Sequence, residues 1–430
     1  MRTQVQPPRS RRVVDFCEPC RAEPATDPLT RSNNRSLFEA AGHRPNGRAS
    51  LKHLAFLSLA TLLLSGAAAS TAFAQARTRT ELVFPDLPGF VTLRCDFHMH
   101  TVFSDGNVWP SVRVEEAWRD GLDAIAITDH LEYLPHKADL VADYERSYEI
   151  ARAAAQRLGL IILRAAEITR GEPPGHVNAI GITNATLVNQ KDNFATVSNA
   201  FLQGAFLFWN HPGWKQPQRK SVWYDEQGQF LARGWLQGIE IVNGDDYDPI
   251  AHQWCLDKHL AMLGDSDAHD PIGFEYPSST GELRPLTLVF AESRTPEAVK
   301  TALFAHRTVV FSHGRLYGLR EFLEPLFQGS IEVVNPELRI RGKGRVLVQI
   351  RNKAPLSFEC RLNPKLPECD VPEKLMLAAG KVSVLEVRCI SDRVTGDLQI
   401  GLPCRVLNLL AAPGKGLSTS LRLKIHYEQP

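Results

Sequence analysis

The sequence has almost no net charge and no long apolar run, and each absence excludes a class of protein. Its 49 Lys and Arg residues nearly balance 48 Asp and Glu residues, so no basic surface for a polyanion such as nucleic acid is expected. The ordinary counts of 29 Gly and 28 Pro exclude a collagen-like or wholly disordered chain. With 430 residues, of which 43% are hydrophobic, the chain is long enough for two or three domains with a real core.

The first 74 residues have the pattern of a leader. Residues 1–50 contain nine Arg, no Lys and five acidic residues, without the periodicity of a helix or a strand. Lys52, the apolar residues 54–64 and Ala72-Phe73-Ala74 follow the order of a secretory signal peptide: basic flank, apolar stretch, A-x-A cleavage site. We therefore predict an exported protein, either periplasmic or secreted. Because a signal peptide normally opens its chain, we interpret residues 1–50 as the product of a misassigned start codon.

The apolar run at residues 54–64 is too short to cross a bilayer comfortably, so no retained membrane span is expected; an uncleaved anchor is the alternative. Removal of residues 1–74 takes away ten basic and five acidic residues, which leaves 39 against 43 and a net charge near −4. A mildly acidic protein needs a local source of positive charge, such as metal ions, to attract an anionic substrate.

The cysteines fall into three groups. Cys17 and Cys20 lie in the predicted leader, whereas Cys95 and Cys255 have the apolar neighbours typical of buried thiols. Four more follow near the end of the chain: Cys360, Cys369, Cys389 and Cys404. In an exported chain these four predict one or two disulfides, and three full pairings are possible. Proximity in the sequence favours Cys360 with Cys369.

Residues 91–325 alternate short apolar runs with amphipathic stretches, which is typical of a parallel sheet or barrel in the α/β class. Strands are predicted at residues 91–97, 124–127, 160–165, 177–182, 205–209, 238–242, 260–263 and 286–290. Helices are predicted at residues 111–120 and 139–158. Gly121 and Gly159 stand where a glycine commonly ends a helix.

Histidines and carboxylates recur at the ends of these predicted strands. They are His98, His100, Asp105, His130, Glu167, His176, His211, Asp267 and His269. Because the carboxyl ends of barrel strands share one face, residues far apart in the sequence converge there. Imidazole and carboxylate suit zinc, manganese or iron, and an H-x-H pair places both rings on one side of a strand. A lone histidine is more often structural, but this recurrence predicts a metal centre.

These motifs resemble those of the PHP superfamily, the polymerase and histidinol phosphatase metallohydrolases. The resemblance covers residues 94–315 and rests on H-x-H-x-x-x-S-D-G at 98–106, T-D-H at 128–130, Glu167, N-H-P at 210–212 and D-x-H at 267–269. Segments 127–133, 167–170 with 174–180, and 208–212 are similar to a secreted branch associated with phosphodiester hydrolysis. The resemblance implies a distorted seven-stranded (β/α) barrel that holds two or three divalent ions of Mn, Zn or Fe.

Carried over residue by residue, the resemblance implies three metal sites. The first takes His98, His100, Glu167 and Asp267. Glu167 bridges to a second site, which also takes His211 and His176. The third takes Asp105, His130 and His269. Asp105 stands where some relatives have histidine, which leaves the occupancy of the third site open.

The resemblance implies a metal-dependent hydrolase, in first place a phosphodiesterase with Glu167, Asp267 and His130 as catalytic residues. A metal-bridging hydroxide would attack phosphorus in line. The alternatives are a phosphomonoesterase, an amide, carbamate or ester hydrolase on the same metal cluster, and a non-enzymatic metal-binding scaffold. The expected partner is a small-molecule phosphate ester, and the oligomeric state is left open.

Three further residues near the motifs are candidate substrate contacts: Arg170, Lys137 and His136. The alternative for each is an ordinary solvated or loop side chain. Asp129, beside His130, is predicted to orient a ligand rather than to bind a metal ion.

From about residue 330 the pattern changes to strand-like stretches separated by Pro, Gly, Asn and Asp, without a predicted helix. These stretches lie at residues 345–352, 382–389, 397–402 and 418–427. We predict a small all-β, sandwich-like domain over residues 330–430, after a PHP barrel over residues 75–325. We expect this domain to pack against the barrel, and binding of a glycan or cell surface is the lesser alternative.

Overall fold

The structure, a computed structural model, describes residues 77–277, 283–335 and 337–430. The predicted signal peptide, its cleavage site and the misassigned start lie outside the described residues, as do Cys17 and Cys20. Within the described part of the chain, no helix is both long and apolar enough to cross a membrane.

Strands and helices alternate through the first two thirds of the described chain, and strands alone follow. The strands are β1 (Val91–Asp96), β2 (Ala124–Ile127), β3 (Ile161–Ile168), β4 (Val177–Ile180), β5 (Phe206–Trp209), β6 (Gly238–Asn243), β7 (Asp246–Tyr247), β8 (Ala261–Asp265), β9 (Leu286–Ala291), β10 (Thr308–Ser312), β11 (Arg315–Gly318), β12 (Ile331–Val333), β13 (Arg339–Arg341), β14 (Arg345–Asn352), β15 (Phe358–Leu362), β16 (Cys369–Asp370), β17 (Lys374–Leu377), β18 (Val382–Cys389), β19 (Gly396–Ala412) and β20 (Lys415–Glu428). The α-helices are α1 (Pro110–Arg119), α2 (Arg146–Leu158), α3 (Ala185–Val188), α4 (Asn193–Leu202), α5 (Asp225–Ala232), α6 (Pro249–Lys258), α7 (Ile272–Glu275), α8 (Pro296–Phe304) and α9 (Arg320–Ser330).

Seven of the described strands form a distorted barrel, which confirms the predicted fold class. Strands β1, β2 and β3 are parallel, β4 runs antiparallel between β3 and β5, and β5, β6 and β8 are again parallel. The ring closes beyond the ends of β8 and β1, where His100 N–H donates to the Ala268 carbonyl at 2.9 Å and Asp267 N–H donates to the His98 carbonyl at 2.8 Å. Because β4 is reversed, its start, rather than its end, lies with the carboxyl ends of its neighbours.

The barrel interior is filled by alternate residues of these strands, among them Leu93, Leu163, Phe206 and Leu263. The period-2 pattern places the intervening residues outward, against the helices. The interior is therefore a packed core, and chemistry is confined to the edge where the strands end.

Helix α2 begins later than the sequence predicts. We expected residues 139–158, but the helix starts at Arg146 and ends at Leu158, where Gly159 caps it with a left-handed φ of 67°. The residues buried on α2 are Ser147, Ala151, Ala154 and Ala155, spaced for one helix face. Upstream, Val141 is 85% exposed, and residues 139–145 form turns and irregular backbone instead of helix.

The last part of the chain folds as the predicted β-sandwich. One sheet has the order β12-β14-β18-β16, and the other contains β13, β20, β19, β15 and β17. Alternating residues such as Val348, Ile350, Leu385 and Val387 are buried between the sheets.

The sandwich is continuous with the barrel rather than attached to it by a linker. Strands β9 and β10 extend the barrel sheet, and β11 pairs in parallel with β19, with Leu316 opposite Leu409. One apolar cluster also includes Phe311 of the barrel and Val406 of the sandwich. The two predicted domains therefore share both a sheet and a core.

The structure does not join Cys360 to Cys369, because all six described cysteines are free thiols. Cys360 lies on β15 in the larger sheet, beside the strand that carries Cys404. Cys369 lies on β16 in the other sheet, directly opposite Cys389. The short sequence separation misled because the chain changes sheets between the two residues.

Candidate metal centre

The structure brings the nine predicted ligands together at the edge of the barrel where the strands end. Their ligand atoms form four overlapping groups, each with all its atoms within 4.8 Å of one another. The groups are His98, His100 and Asp267; His98, Glu167 and His211; His130, Glu167 and His176; and His100, Asp105, His130 and His269. Shared members make this one centre rather than separate sites.

The first group lies where β1 and β8 end. Asp267 Oδ1 lies 3.1 Å from His98 Nε2 and 3.0 Å from His100 Nε2. Glu167 Oε2 lies 3.6 Å and 3.4 Å from the same two nitrogens. These four side chains are the set that the resemblance implies for the first metal ion.

The second metal site that the resemblance implies combines members of two of these groups and is built around the other oxygen of Glu167. Glu167 Oε1 lies 2.8 Å from His176 Nδ1 and 3.8 Å from His211 Nε2. His176 stands at the start of the reversed strand β4, which places it at the same edge as the end of β3. His211 follows β5 with a φ of 27°, a strained conformation for a residue with a side chain.

The third group is built around Asp105. Its Oδ1 lies 3.3 Å from both His130 Nε2 and His269 Nε2, and 3.7 Å from His100 Nδ1. Asp105 therefore occupies the position that the resemblance assigns to a third-site ligand.

Several facing atoms of the centre are buried and lack a hydrogen-bond partner among the described residues. They are His98 Nε2, His100 Nε2, Asp105 Oδ1, Glu167 Oε2 and Asp267 Oδ1. Carboxylate oxygens and unprotonated imidazole nitrogens are all acceptors, and acceptors 3.0–3.6 Å apart repel unless a cation lies between them. The donor set thus fits divalent metal ions, with nitrogen and oxygen ligands suited to zinc, manganese or iron.

Hydrogen bonds at Nδ1 turn the Nε2 atoms of four histidines toward the centre. His98 Nδ1 faces Glu240 Oε1 at 3.1 Å, and His130 Nδ1 faces Thr169 Oγ1 at 2.6 Å. His100 Nδ1 faces Ser104 Oγ at 3.3 Å, and His269 Nδ1 faces the Asp267 carbonyl at 2.7 Å. An Nδ1–H that donates to these acceptors leaves the Nε2 lone pair for a metal ion.

Without metal ions, protons take up part of the negative charge. Burial alone would lower the pKa of His130, but Glu167 and Asp105 raise it to about 10. Burial likewise opposes protonation of His269, but Asp105 and Asp267 raise its pKa to about 9. His100 differs, because burial and the neighbouring His269 and His130 lower its pKa to about 3.

The carboxylates respond in the opposite direction. Burial would raise the pKa of Glu167 and of Asp267, but the adjacent histidines hold both well below the usual range. These carboxylates are therefore ionised at neutral pH, as metal ligands must be.

Glu240 is a residue of the centre that the sequence analysis missed. Besides facing His98, its Oε2 accepts from His211 N–H at 2.8 Å and from Asn243 Nδ2 at 3.0 Å. Asn243 Nδ2 also donates to Asp267 Oδ2 at 3.1 Å. Glu240 thus positions two histidines at once. The available signal was a single carboxylate inside the apolar run of β6.

Asn210 was also missed, although it belongs to the N-H-P motif. Its Nδ2 donates to Glu167 Oε1 at 2.8 Å, and its Oδ1 accepts from Asn178 N–H at 3.2 Å. Asn210 therefore fixes the orientation of the central carboxylate from the end of β5.

Asp129 orients the first motif rather than its neighbour His130. It accepts hydrogen bonds from Thr101 N–H at 2.7 Å, Thr101 Oγ1 at 2.7 Å and Ser104 Oγ at 2.8 Å. Through Ser104 it supports His100, so its orienting effect extends to a ligand one strand away.

None of the three candidate substrate contacts belongs to the groups of ligand atoms among the described residues. Arg170 is held by Glu132 at 2.9 Å and by the Gln190 carbonyl at 2.5 Å. His136 is half-buried and Lys137 exposed, and both belong to turns after β2. Their roles in substrate binding remain predictions.

The aromatic side chain of Trp214 borders the centre on the side of His176 and His211. The Trp214 ring centroid lies 4.8 Å from that of His176 and 5.2 Å from that of His211, and the residue is 37% exposed. Lys215 Nζ lies 3.9 Å from the Trp214 ring centroid. Gln216 contacts Glu172 and thereby ties this loop to the segment before β4.

The chain is similar to a known protein family and to a solved structure of similar length. Residues 96–233 match the model of the PHP domain. A crystal structure from Bacteroides vulgatus, of a two-domain protein containing a predicted PHP-like metal-dependent phosphoesterase, is 39% identical, with a TM-score of 0.75. The match covers 81% of this chain and 100% of that chain. No curated protein matches.

Two further solved structures each match less than half of the chain. One is a provisionally assigned metal-dependent phosphoesterase from Bifidobacterium adolescentis, with 20% identity over 41% of this chain and 87% of that chain. The other is an amidohydrolase from Chromobacterium violaceum with bound sulfate, with 18% identity over 41% of this chain and 88% of that chain. Both have a TM-score of 0.31.

Proposed function

The chain belongs to the PHP family of metal-dependent, phosphoesterase-like hydrolases, and from that premise we propose that it hydrolyses phosphate esters, with phosphodiesters preferred. The observation that supports this most directly is the set of buried, unpartnered ligand atoms around Glu167 and Asp267. When bound, two or three divalent ions would supply Lewis-acid stabilisation of phosphoryl oxygens and a water of lowered pKa.

The chain's own residues would hold and orient this centre. His98, His100 and Asp267 would hold one ion, and Glu167 would bridge to a second with His176 and His211. Asp105, His130 and His269 would hold a third. The exposed edge of the centre, near His269 and Trp214, is where an ester would enter.

The preference for diesters over monoesters follows from the supply of positive charge. Arg170, a candidate substrate contact, is already engaged by Glu132, and the buried Arg113 donates to the backbone carbonyls of His100 and Ala268. A phosphodiester carries one negative charge, whereas a phosphomonoester carries close to two at neutral pH. A centre without an added arginine is better matched to the less charged substrate.

A three-substrate assay tests the proposal. Purified protein loaded with Mn or Zn is given a bis-aryl phosphate, an aryl monophosphate and an aryl carboxylic ester. We expect the diester to turn over fastest and a chelator to abolish the activity, with recovery on re-addition of metal. Turnover of the carboxylic ester alone would favour the ester-hydrolase alternative, and full activity in metal-free protein would contradict the metal-dependent mechanism.

His211→Ala is the matched variant for this assay. Loss of the imidazole should remove the activity together with part of the bound metal, and elemental analysis measures the metal content. His259→Ala is the control, because His259 ends α6 and belongs to none of the ligand groups. If His211→Ala is as active as His259→Ala, the hydrolysis does not depend on this metal centre.

We also propose that the protein is exported, on the basis of residues 52–74 alone. Fractionation of cells that produce the full chain should place a shortened product in the periplasm or medium. An uncleaved product in the membrane fraction would favour the retained anchor.

A further inference from the structure

The four cysteines of the sandwich are buried as two neighbouring pairs, and each pair lies within one sheet. Cys369 and Cys389 face each other between β16 and β18, with Asp370 opposite Arg388 as the next pair. Cys360 and Cys404 lie on the adjacent strands β15 and β19. All four are free thiols in the structure, and their arrangement as two neighbouring pairs matches one of the three pairings that the sequence leaves open.

Backbone hydrogen bonds define the position of the first pair. Ile390 N–H donates to the Glu368 carbonyl at 3.3 Å, so the neighbouring residues are bonded across the strands. Cys389 N–H instead donates to the Gly344 carbonyl on its other side, at 3.0 Å. Cys369 and Cys389 therefore form a non-hydrogen-bonded pair, in which Cα atoms lie about 4.5 Å apart. Disulfides span Cα separations of roughly 4.4–6.8 Å.

The second pair is offset along the strands. Cys360 is opposite Val406, and Leu362 is opposite Cys404, so the cysteines are diagonal neighbours. The Cα atoms of diagonal neighbours lie about 7–8 Å apart, so a bond between these two cysteines requires a small movement of the strands. Because side chains alternate along a strand, both thiols point to the same buried face. The contact with the Cys404 thiol, together with burial, raises the pKa of Cys360 far above its usual value.

We propose that Cys369–Cys389 and Cys360–Cys404 are two disulfide sites, one in each sheet of the sandwich. At each site the two thiols lose two electrons and two protons to a disulfide donor such as glutathione disulfide. The donor is reduced to two thiols as the S–S bond forms. The barrel cysteines stay reduced, because Cys95 and Cys255 lie in different apolar clusters. This inference does not depend on the proposed catalytic activity.

Each bond would fasten a short strand. Strand β16 has two residues and stands at the edge of its sheet, so a bond to β18 would hold it in place. Strand β15 joins β17 to the long hairpin strand β19, and a bond there would fix that junction. In both cases the cross-link restricts the unfolded chain and so stabilises the fold.

Peptide mapping tests the pairing directly. The reduced, unfolded full chain is refolded in a buffer of reduced and oxidised glutathione, free thiols are alkylated, and the protein is digested without reductant. Trypsin cleaves after Arg361, Lys365, Arg388 and Arg393, so each of the four cysteines lies on its own peptide. We expect two linked peptide pairs by mass spectrometry and alkylated Cys95 and Cys255. A Cys360–Cys369 link, a link to either barrel cysteine, or alkylation of all four sandwich cysteines in the refolded protein would overturn the proposal.

Variants separate the bond from the packing of the thiol. Cys369→Ser should leave the Cys360–Cys404 link intact and leave Cys389 alkylated. It should lower the thermal midpoint of the oxidised protein by roughly 5 °C, and much less in protein kept reduced. Equal losses in both states would show that Cys369 acts only through packing and would contradict its part in a bond. Cys404→Ser provides the matched test for the second pair.

Discussion

At the scale of single residues, Glu167 holds the most contacts in the metal centre. Its Oε2 lies 2.7 Å from His130 Nδ1 and 3.4 Å from His100 Nε2. Its Oε1 lies 2.8 Å from His176 Nδ1 and accepts a hydrogen bond from Asn210. A carboxylate with both oxygens engaged on different sides can bridge two ions, which is the role that the sequence resemblance implies for it.

Glu240→Gln should weaken metal binding while leaving the fold intact. The amide cannot accept from His98, His211 and Asn243 together, because one of its two ends is a donor. Loss of such a partner typically lowers metal affinity by about 10- to 100-fold. Metal titration of the apo protein measures the effect.

Glu292→Gln is the control for this prediction, since its side chain is 69% exposed. Unchanged metal affinity in Glu240→Gln, with the control also unchanged, would show that the histidines hold their orientation without this carboxylate.

Trp214→Ala should impair binding of an aryl phosphodiester without removing the metal ions. Trp214 contacts two predicted ligands but supplies no ligand atom. An aromatic contact contributes about 0.5–1.5 kcal/mol, so we expect a rise in KM of up to about tenfold with little change in kcat. Steady-state kinetics and metal analysis of the same preparations separate the two effects.

The variant Trp214→Phe should recover most of the affinity, because it retains an aromatic face. If Trp214→Ala lowers metal content and kcat instead, the tryptophan supports the ligands rather than the substrate.

The sequence locates the candidate ligands but not the residues that orient them. His98, His100 and Asp267 stand in short motifs at strand ends, and strand ends converge in a barrel. Glu240 belongs to no such motif, and its partner His98 lies far away in the chain. Long-range hydrogen bonds of this kind depend on which strands become neighbours, which residue spacing alone does not specify.

At the scale of elements, strands were easier to predict than their directions. The apolar runs located β1, β2 and β5 closely, because buried strands are continuously apolar. The reversal of β4 was not predicted, since an apolar run reads the same in either direction. The start of α2 was also missed, because the mixture of apolar and polar residues at 139–145 does not distinguish a helix from turns.

Asp123 connects three elements at the edge of the barrel where the strands begin. Its carboxylate oxygens each lie 2.6 Å from a nitrogen of Arg94 on β1. Arg79 in the segment before β1 and Arg294 after β9 also contact it. Burial would raise the pKa of Asp123, but hydrogen bonds from Arg94 lower it.

Asp123→Asn should therefore destabilise the protein in a pH-dependent way. With a lowered pKa in the folded state, the ionised carboxylate stabilises the fold above the unfolded pKa of about 3.9. That stability is lost as the pH falls through the folded pKa. We expect the variant to lose about 3 kcal/mol at pH 7 and progressively less below pH 4.

Urea unfolding at pH 7 and at low pH measures this difference, with Glu359→Gln, an exposed carboxylate on β15, as the control. A loss of the same size at both pH values would contradict a role for the Asp123 charge.

At the scale of the whole molecule, the barrel and the sandwich are stabilised as one body. Phe327 of α9 packs on Phe358 of β15, with ring centroids 5.0 Å apart. Asn408 Nδ2 on β19 donates to the Gly314 carbonyl at 2.8 Å, before β11. These contacts join the same sheet edge and the same core, so neither part is complete alone.

A chain that ends at Ser330 should lose solubility and metal-dependent activity. This truncation removes the sandwich and would expose Leu316, Leu326 and Phe327, which are all buried in the full chain. The soluble yield and the activity per metal ion measure the effect. A chain that ends at Glu428 is the control, because only the exposed Gln429 and Pro430 are missing. A soluble, active product ending at Ser330 would show that the barrel folds independently.

The ladder between β11 and β19 also limits how this architecture can be recombined. A cut between residues 325 and 345 separates the barrel from the sandwich in the gene. It leaves β11 in one part and β19 in the other, each with an unpaired edge. A chimera that combines the barrel of one relative with the sandwich of another must therefore keep two residue pairs matched: Leu316 with Leu409, and Tyr317 with Leu410. Backbone pairing therefore couples the inheritance of the barrel and the sandwich, even though all nine candidate metal ligands lie in the barrel.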